Sequence, residues 1–243
     1  MTGRPFAVFD IDGTLIRWQL YHAIADALVK LGHIDSSEYG SIRDARMTWK
    51  RRSNPNSFKE YQKELVKVYE KVLLKISYSQ FEEAVETVFE EYKDQVYTYT
   101  RDLIERLKKD GYLLFAISGS QTEIIEKIAD YYGFDDFVGT SYYHQNNKFT
   151  GAYQAGFEDK DKVLKKMIAK HQAKMEDSLA VGDSTGDIKM LEVVERPIVF
   201  NPEQALFDHA RKKDWKVIVE RKNMVYELEG ENGKYVLAET SAR

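Results

Sequence analysis

Two hydrophobic patterns occupy different parts of this chain. From about Trp18 to about Val96, apolar residues recur at three- and four-residue spacing, which is typical of amphipathic helices. Outside that segment, short apolar runs alternate with helical patterns, which is typical of buried parallel strands joined by helices. The sequence therefore predicts an α/β fold, a doubly wound parallel sheet, with an all-helical segment inserted into it.

The predicted strands are short apolar runs that end in polar residues or glycine. Asn146-Asn147 lies at the centre of a predicted hairpin over residues 142–153. A second hairpin is predicted near the C-terminus, where Gly230-Glu231-Asn232-Gly233 separates two apolar runs. The strands of the central sheet are predicted at residues 6–9, 112–117, 136–141, 178–181, 197–200 and 216–219.

These patterns divide the chain into three predicted parts. Residues 1–16 and 97–221 form the α/β core, residues 17–96 form the helical insert, and residues 222–243 form a β-hairpin extension. Within these parts, three serine–glutamate pairs have the spacing of a capping box and are predicted to begin helices. They are Ser57 with Glu60, Ser79 with Glu82, and Ser120 with Glu123.

Composition narrows the class of protein. The 243 residues, 43% hydrophobic and 31% charged, can bury a full core and keep a solvated surface. A formal net charge of −4 argues against nucleic-acid and membrane partners, which favour a basic face. The chain has no cysteine, no leader-like segment before Asp10, and no apolar run of roughly 18 residues. We therefore expect a cytoplasmic protein.

Polar clusters follow three of the predicted strands. The segment Asp10-Ile11-Asp12-Gly13-Thr14-Leu15 follows the first, Ser118-Gly119 follows the second, and Gly182-Asp183-Ser184-Thr185-Gly186-Asp187 follows a later one. Ligands of open parallel sheets bind outside the carboxyl ends of the strands, so the three clusters are predicted to form one site. Two carboxylates as close as Asp10 and Asp12 repel each other unless a cation lies between them.

The residue types in these clusters indicate phosphoryl chemistry. Asp10 and Asp183 can share Mg²⁺, which prefers one or two carboxylates together with water and phosphate oxygens. A carboxylate can then attack phosphorus to form an aspartyl-phosphate, while Asp12 moves the protons. Ser118 and the Gly119 N–H can bind phosphoryl oxygens. A lysine just ahead of the predicted helix near residues 163–168 can offset the developing charge.

These motifs resemble those of the haloacid dehalogenase superfamily. Residues 10–15 are similar to its first motif, residues 117–119 to its second, and residues 182–187 to its fourth. The insert after the first motif is similar to the helical cap of members with a first-type cap, and residues 17–96 are called the cap below. The serine in the second motif and the overall layout of the chain are similar to those of the phosphoserine phosphatase-like branch of this superfamily.

The resemblance implies a role for each polar residue. Asp10 would be the nucleophile and a metal ligand, and Asp12 would be the acid/base whose backbone carbonyl also binds the metal. Asp183 would complete the metal site, with Asp187 bound nearby or through water. A helix N-terminal carboxylate is the alternative for Asp187.

The third motif of this superfamily is a lone lysine. We choose Lys160 as the phosphate-binding lysine, with Lys162 as the alternative. Lys160 has the spacing to Gly182-Asp183 that is usual in the superfamily, and it begins a Lys-x-x-x-Leu pattern that ends at Leu164. Either lysine could otherwise lie on the surface of a helix.

Specificity is expected to lie in the cap. Phosphoserine phosphatases place a glutamate soon after the first motif to meet the substrate ammonium, whereas this chain has Gln19 near that position. A neutral amide cannot supply the same charge partner, which weakens the expectation of phosphoserine. Trp18, Gln19 and His22, together with Tyr21, are candidates for substrate contact. Packing within the cap is the alternative for the aromatic residues and His22.

Together, the residues and the resemblance predict a Mg²⁺-dependent phosphatase. Its substrate would be a small phosphorylated metabolite, either phosphoserine or a related phosphomonoester. The alternatives are a phosphotransferase that uses the same aspartyl-phosphate and a non-catalytic phosphate- or metal-sensing module. Asp12 and the large cap favour the phosphatase, because receiver-type sensors need neither. The sequence does not predict an oligomeric state.

Overall fold

A computed structural model describes residues 3–54, 56–156, 158–231 and 234–242 of the chain. The strands are β1 (Pro5–Phe9), β2 (Leu113–Gln121), β3 (Asp136–Gln145), β4 (Lys148–Gln154), β5 (Lys174–Gly182), β6 (Arg196–Phe200), β7 (Lys216–Arg221), β8 (Met224–Glu231) and β9 (Lys234–Ala242). The helices are α1 (Leu20–Lys30), α2 (Gly40–Lys50), α3 (Ser57–Leu73), α4 (Tyr78–Tyr92), α5 (Thr98–Lys109), α6 (Thr122–Tyr132), α7 (Lys160–His171), α8 (Ile188–Leu191) and α9 (Gln204–Lys212).

The strands form one sheet in the order β4-β3-β2-β1-β5-β6-β7-β8-β9. The run from β3 through β2, β1, β5 and β6 to β7 is parallel. At the two edges, β4, β8 and β9 pair antiparallel to their neighbours. Chain order reverses at β1, which is the arrangement of a doubly wound sheet. The predicted α/β fold is confirmed.

Strand β1 shows how the sheet is buried. Ala7 and Phe9 pack into the core on one face, together with α5, α6 and the cap helices. Phe6 and Val8 point the other way, into the core formed with α7, α8 and α9. Successive side chains of a strand point to opposite faces, so a strand covered on both sides is apolar throughout. This explains why residues 6–9 form an unbroken apolar run.

Helices α1 to α4 lie between two connecting segments that pair with each other. Ile16 and Val96 form an antiparallel bridge. The Arg17 N–H donates to the Gln95 carbonyl at 2.8 Å, and the Tyr97 N–H donates to the Leu15 carbonyl at 2.9 Å. This pairing supports the predicted cap boundaries at residues 17 and 96, which stay predictions.

Both hairpins lie where the sequence predicts them. Asn146 and Asn147 join β3 to β4 with φ of 51° and 61°, the left-handed conformation that two-residue hairpin turns require. Strand β3 is longer than predicted, because it continues without a break into this hairpin. At the C-terminus, β8 pairs with both β7 and β9, so the hairpin extends the central sheet. Asn232 and Gly233 of the predicted turn lie outside the described residues.

The three predicted capping boxes are wrong. Helix α3 begins after Asn56 with no side-chain cap, and the Ser57 hydroxyl donates to the Asn54 carbonyl instead. Helix α4 does begin with a capping box, but Ser77 and Gln80 form it, two residues earlier than predicted. Ser120 does not cap α6, and its hydroxyl has a different partner, described below. Among the helices of the described ranges, none has the length and apolar character to cross a membrane.

Candidate active site

The loop after β1 carries the two aspartates of the first motif. The Asp10 N–H donates to the Val181 carbonyl at 2.9 Å, which continues the pairing of β1 with β5 for one more residue. The chain then turns at Gly13, whose φ is +84°. A Cβ at this position would lie 2.3 Å from Asp183 Oδ2, so any side chain there would collide with the carboxylate. Glycine therefore lets the two motifs approach each other.

The carboxylate of Asp12 is buried and accepts three hydrogen bonds. The Ser118 hydroxyl donates to its Oδ2 at 2.5 Å. The Leu20 N–H, at 2.5 Å, and the Ser120 hydroxyl, at 3.0 Å, both donate to its Oδ1. Burial raises the pKa of Asp12, and these three hydrogen bonds act against that rise. Asp12 is thus fixed between the end of β2 and the start of α1.

Asp10 also belongs to a cluster of three carboxylates with Asp183 and Asp187. Asp10, Asp183 and Asp187 each place one oxygen within 4.8 Å of the others. Asp187 is held by the loop after β5, because its Oδ2 accepts the Asp183 N–H at 3.2 Å and the Ser184 N–H at 3.0 Å. The first and fourth motifs therefore meet at one edge of the sheet, where their carboxylate oxygens lie close enough together to suit a hard divalent cation.

Lys160 is the first residue of α7, and its side chain enters this site. Its Nζ lies 2.7 Å from Asp10 Oδ1 and 2.6 Å from Asp187 Oδ1, and the residue is 4% exposed. Lys162 instead points away and pairs with Asp159 at the surface, at 2.7 Å. The structure therefore brings Lys160 to the carboxylates and leaves Lys162 outside the site.

The site holds more negative than positive charge. Asp10, Asp12, Asp183 and Asp187 approach one another, and among the described residues only Lys160 forms ion pairs with them. Burial raises the pKa of Asp10 to about 7, with Lys160 acting against the rise and the neighbouring aspartates adding to it. Burial and the same neighbours raise the pKa of Asp183 well above its usual range. A divalent cation would relieve this repulsion, so the residues present fit such an ion.

The second motif lies at the end of β2, beside Asp12. The Ser118 hydroxyl accepts the Ser120 N–H at 2.9 Å while it donates to Asp12. The Gly119 carbonyl accepts a hydrogen bond from the Thr140 hydroxyl at 2.9 Å, which ties this end of β2 to β3. Ser118 and Gly119 therefore lie beside Asp12 at the end of β2, and their role as phosphate ligands stays a prediction.

The four candidate specificity residues occupy different surroundings. Gln19 Nε2 lies 3.5 Å from the point that a Cβ on Gly13 would occupy, so its amide adjoins the loop after β1. Trp18 and His22 pack together in the cap, with ring centroids 6.3 Å apart. Tyr21 turns toward β3, where its hydroxyl lies 3.0 Å from that of Tyr142. Gln19 is thus the member of this group that the structure places against the first motif.

His22 is enclosed by aromatic rings of the cap. It is 1% exposed, and its ring centroid lies 4.8 Å from that of Tyr61 and 6.0 Å from that of Phe58. Its Nδ1 is buried and has no hydrogen-bond partner among the described residues. This environment is that of a residue in the interior of the cap.

Sequence reasoning missed Ser120, whose hydroxyl contacts Asp12. The available signal was the alternation of side chains along β2, which puts residues 118 and 120 on the same side of an extended strand. Arg46 pairs with Asp26 at 2.6 Å and donates to the Tyr61 hydroxyl at 2.8 Å, so it fastens the cap helices to one another.

The sequence of the chain matches the haloacid dehalogenase-like hydrolase family over residues 7–192, which is more than half of its length. The chain belongs to the haloacid dehalogenase-like hydrolases. The match begins inside β1 and includes the first, second and fourth motifs, so the family resemblance predicted from those motifs is confirmed.

The curated relatives of this haloacid dehalogenase-like hydrolase include proteins named as phosphatases. A histidinol-phosphatase from Neisseria meningitidis is 24% identical over 229 residues, which cover 88% of this chain and 98% of that protein. A phosphoserine phosphatase from Archaeoglobus fulgidus is 24% identical over 206 residues, which cover 84% of this chain and 54% of that protein. The chain therefore spans almost the whole of the first relative and about half of the second.

Solved structures of similar proteins share the fold. A protein of unknown function from Bordetella pertussis Tohama I has a TM-score of 0.70 at 21% identity, covering 89% of this chain and 98% of its own. A phosphoserine phosphatase in its apo form has a TM-score of 0.61 at 19% identity, and the likeness covers 90% of this chain and 94% of that one. At these identities the likeness concerns the fold alone.

Proposed function

We propose that this hydrolase is a Mg²⁺-dependent phosphatase that cleaves a small phosphomonoester through a phosphorylated Asp10. The observation that carries the proposal is the contrast between Asp10 and Asp12. Asp10 faces Lys160 and the carboxylates of the fourth motif, whereas Asp12 faces two hydroxyls and the first turn of α1. Two carboxylates in such different surroundings are suited to different steps of one reaction.

In the first step, a carboxylate oxygen of Asp10 attacks the phosphorus of the ester. The bond between phosphorus and the ester oxygen breaks, and its electron pair stays on that oxygen, which takes a proton from Asp12. The products of this step are the free alcohol and an Asp10 acyl phosphate.

In the second step, Asp12 acts as a base. It removes a proton from a water molecule, whose oxygen attacks phosphorus while the bond from phosphorus to Asp10 breaks. Inorganic phosphate leaves, and both carboxyl groups return to their starting protonation states. One residue thus serves both steps because it gives a proton in the first and regains one in the second.

The other residues of the site hold the phosphoryl group. Asp10, Asp183 and the backbone carbonyl of Asp12 would bind Mg²⁺, with Asp187 nearby or joined through water, and the ion would supply positive charge to the phosphoryl oxygens. Lys160 and the Gly119 N–H would bind those oxygens, and Ser118 would join them by turning its hydroxyl hydrogen from Asp12 Oδ2 to the phosphoryl group. The donor types at the site and membership of the family support these roles.

The substrate class is proposed from the cap and the relatives. Gln19, which adjoins Gly13, carries no charge to pair with an ammonium group. The relatives named as histidinol-phosphatase and phosphoserine phosphatase make the two corresponding phosphate esters the first compounds to test. The cytoplasmic location and the lack of nucleic-acid and membrane partners stay predictions.

The proposal is tested by measuring phosphate release from a panel of phosphorylated metabolites, with and without Mg²⁺. We expect Mg²⁺-dependent release by the wild type and none by Asp10→Asn, which keeps the size of the side chain but removes the nucleophile. Lys162→Gln is the matched control, because Lys162 lies on the surface of α7, outside the site. No release by the wild type across the panel, or equal release by Asp10→Asn, would overturn the proposal. Transfer of the phosphoryl group from Asp10 to added alcohols would instead identify a phosphotransferase.

A further inference from the structure

The Ser120 hydroxyl connects the cap to the carboxylate of Asp12. It donates to Asp12 Oδ1 at 3.0 Å and accepts the Tyr21 N–H at 2.9 Å. Ser120 is 2% exposed, so water does not compete with either hydrogen bond. The two partners come from different parts of the fold, since Tyr21 belongs to α1 and Asp12 follows β1.

Helix α1 lacks a side-chain cap of its own. Gln19 occupies the N-cap position and makes no capping hydrogen bond. The first N–H groups of a helix have no partner inside the helix and need one elsewhere. Here Asp12 Oδ1 accepts the Leu20 N–H and Ser120 accepts the Tyr21 N–H. The start of α1 is therefore capped by the core, through the acid/base carboxylate and its neighbour.

The two oxygens of Asp12 are not equivalent. Oδ1 accepts two hydrogen bonds, from the Leu20 N–H and the Ser120 hydroxyl, which use both of its lone-pair directions. Oδ2 accepts one, from the Ser118 hydroxyl, and keeps one lone pair for a proton. The hydrogen bonds from Ser120 and α1 to Oδ1 therefore set the orientation of the Asp12 carboxylate.

We infer that Ser120 is a positioning residue for the proton transfer: together with α1 it holds Asp12 Oδ1, so that Oδ2 carries the proton to the leaving oxygen. This inference rests on the proposed function. The proton moves from Asp12 Oδ2 to the ester oxygen as the bond from that oxygen to phosphorus breaks. Because the Ser120 hydroxyl also binds α1, the first turn of that helix must be in place for Asp12 to be aligned.

Two substrates of similar size separate this role from a purely structural one. Benzyl phosphate releases an alkoxide, which is a poor leaving group and needs the proton, whereas p-nitrophenyl phosphate releases a stabilised phenolate, which does not. A misaligned acid therefore slows the first substrate more than the second. The ratio of the two kcat/KM values cancels the fraction of folded enzyme, so an unstable variant can still be interpreted.

The experiment compares the wild type with Ser120→Ala, Ser120→Cys and Ser120→Thr in the presence of Mg²⁺. For Ser120→Ala we expect kcat/KM to fall about tenfold with benzyl phosphate and no more than about twofold with p-nitrophenyl phosphate. Ser120→Cys, a weak donor of nearly the same volume, should behave in the same way. Ser120→Thr keeps the hydroxyl and should restore the wild-type ratio.

Ser178→Ala is the matched control, because Ser178 is a fully buried serine of β5 whose hydroxyl accepts the Glu195 N–H at 3.1 Å, away from the site. Its substrate ratio should equal that of the wild type. If Ser120→Ala and Ser120→Cys keep the wild-type ratio while the wild type cleaves both esters, the inference about Ser120 is wrong and the phosphatase assignment stands. If the wild type cleaves neither ester nor any compound of the metabolite panel, both are wrong.

Discussion

Lys160 Nζ lies 2.7 Å from Asp10 Oδ1, and neither residue is more than 6% exposed. A buried ion pair is stabilising only when both charges stay matched, because an unpaired buried charge is costly. The Lys160 ammonium also contacts Asp187, so one cation serves two carboxylates. The pair therefore ties α7 to the end of β1 and leaves the site with a surplus of negative charge.

Replacing Lys160 should mainly lower catalysis. In Lys160→Gln, the positive charge that faces the phosphoryl group is lost, and we expect kcat to fall about 100-fold. The measurement is steady-state phosphate release at saturating Mg²⁺. Lys162→Gln, two residues along the same helix, should stay within about twofold of the wild type because its side chain pairs with Asp159 at the surface. Equal losses in the two variants would contradict the placement of Lys160 in the site.

Removing Mg²⁺ should lower the stability of the folded chain. Asp10, Asp183 and Asp187 repel one another, and a bound cation relieves that repulsion only in the folded state. At about a hundred times the dissociation constant, Mg²⁺ should raise the free energy of unfolding by about 2.7 kcal/mol. Urea unfolding with Mg²⁺ and with a chelator measures this difference. Asp183→Asn should reduce it, and an unchanged midpoint in the wild type would argue against a metal site.

The strands and the strand-end clusters could be predicted because they depend on local sequence. An unbroken apolar run such as residues 6–9 predicts a strand covered on both faces, and polar residues after such runs mark the edge where ligands bind. The direction of the Ser120 hydroxyl could not be predicted in this way. Ser120 and Glu123 have the spacing of a capping box, but Asp12, 108 residues away, provides a charged acceptor instead. Tertiary contacts therefore determine which group the Ser120 hydroxyl binds.

The cap shows a second reason why the prediction was incomplete. His22 follows the first motif closely, so the sequence could not separate a residue that touches substrate from one that packs inside the cap. The fold favours packing, since α3 brings Phe58 and Tyr61 against its ring. The partners of a side chain on one helix depend on how the next helices cross it, and spacing along the chain does not contain that information.

His22 should make the cap sensitive to acid. Burial, with the nearby positive charge of Arg46, lowers the pKa of His22 to about 3. The unfolded chain binds this proton near the ordinary histidine pKa of about 6.5, so as pH falls below about 6.5 the unfolded state gains a proton that the folded state does not take. The stability present above about pH 6.5 is therefore lost as pH falls toward 3, by about 1.4 kcal/mol per pH unit from this residue.

The test of the His22 effect is urea unfolding of the wild type and His22→Phe at several values of pH between about 3 and 7. Carboxylates titrate in both proteins, so the difference between the two curves isolates the histidine. We expect His22→Phe to lose less stability than the wild type on acidification. Parallel curves would show that His22 gains its proton as easily in the folded chain as in the unfolded one.

Glu220 should stabilise the helix that follows the cap. Its buried carboxylate accepts the Thr98 N–H at 3.2 Å and the Tyr99 N–H at 2.9 Å, so β7 supplies the missing partners at the start of α5. We expect Glu220→Ala to lower the free energy of unfolding by about 2 kcal/mol and Glu220→Gln by about half as much. Glu229→Ala, at an exposed position of β8, is the control and should change stability by less than about 0.5 kcal/mol.

The central claim is that Asp10 is phosphorylated during turnover. The most direct measurement is the stereochemical course at phosphorus, using an ester made chiral there by oxygen isotopes and sulfur. Each in-line displacement inverts the configuration. Attack by Asp10 followed by attack of water on the Asp10 phosphate makes two displacements, so the account predicts overall retention. Overall inversion would mean that water attacks the ester directly, and it would contradict the proposed role of Asp10.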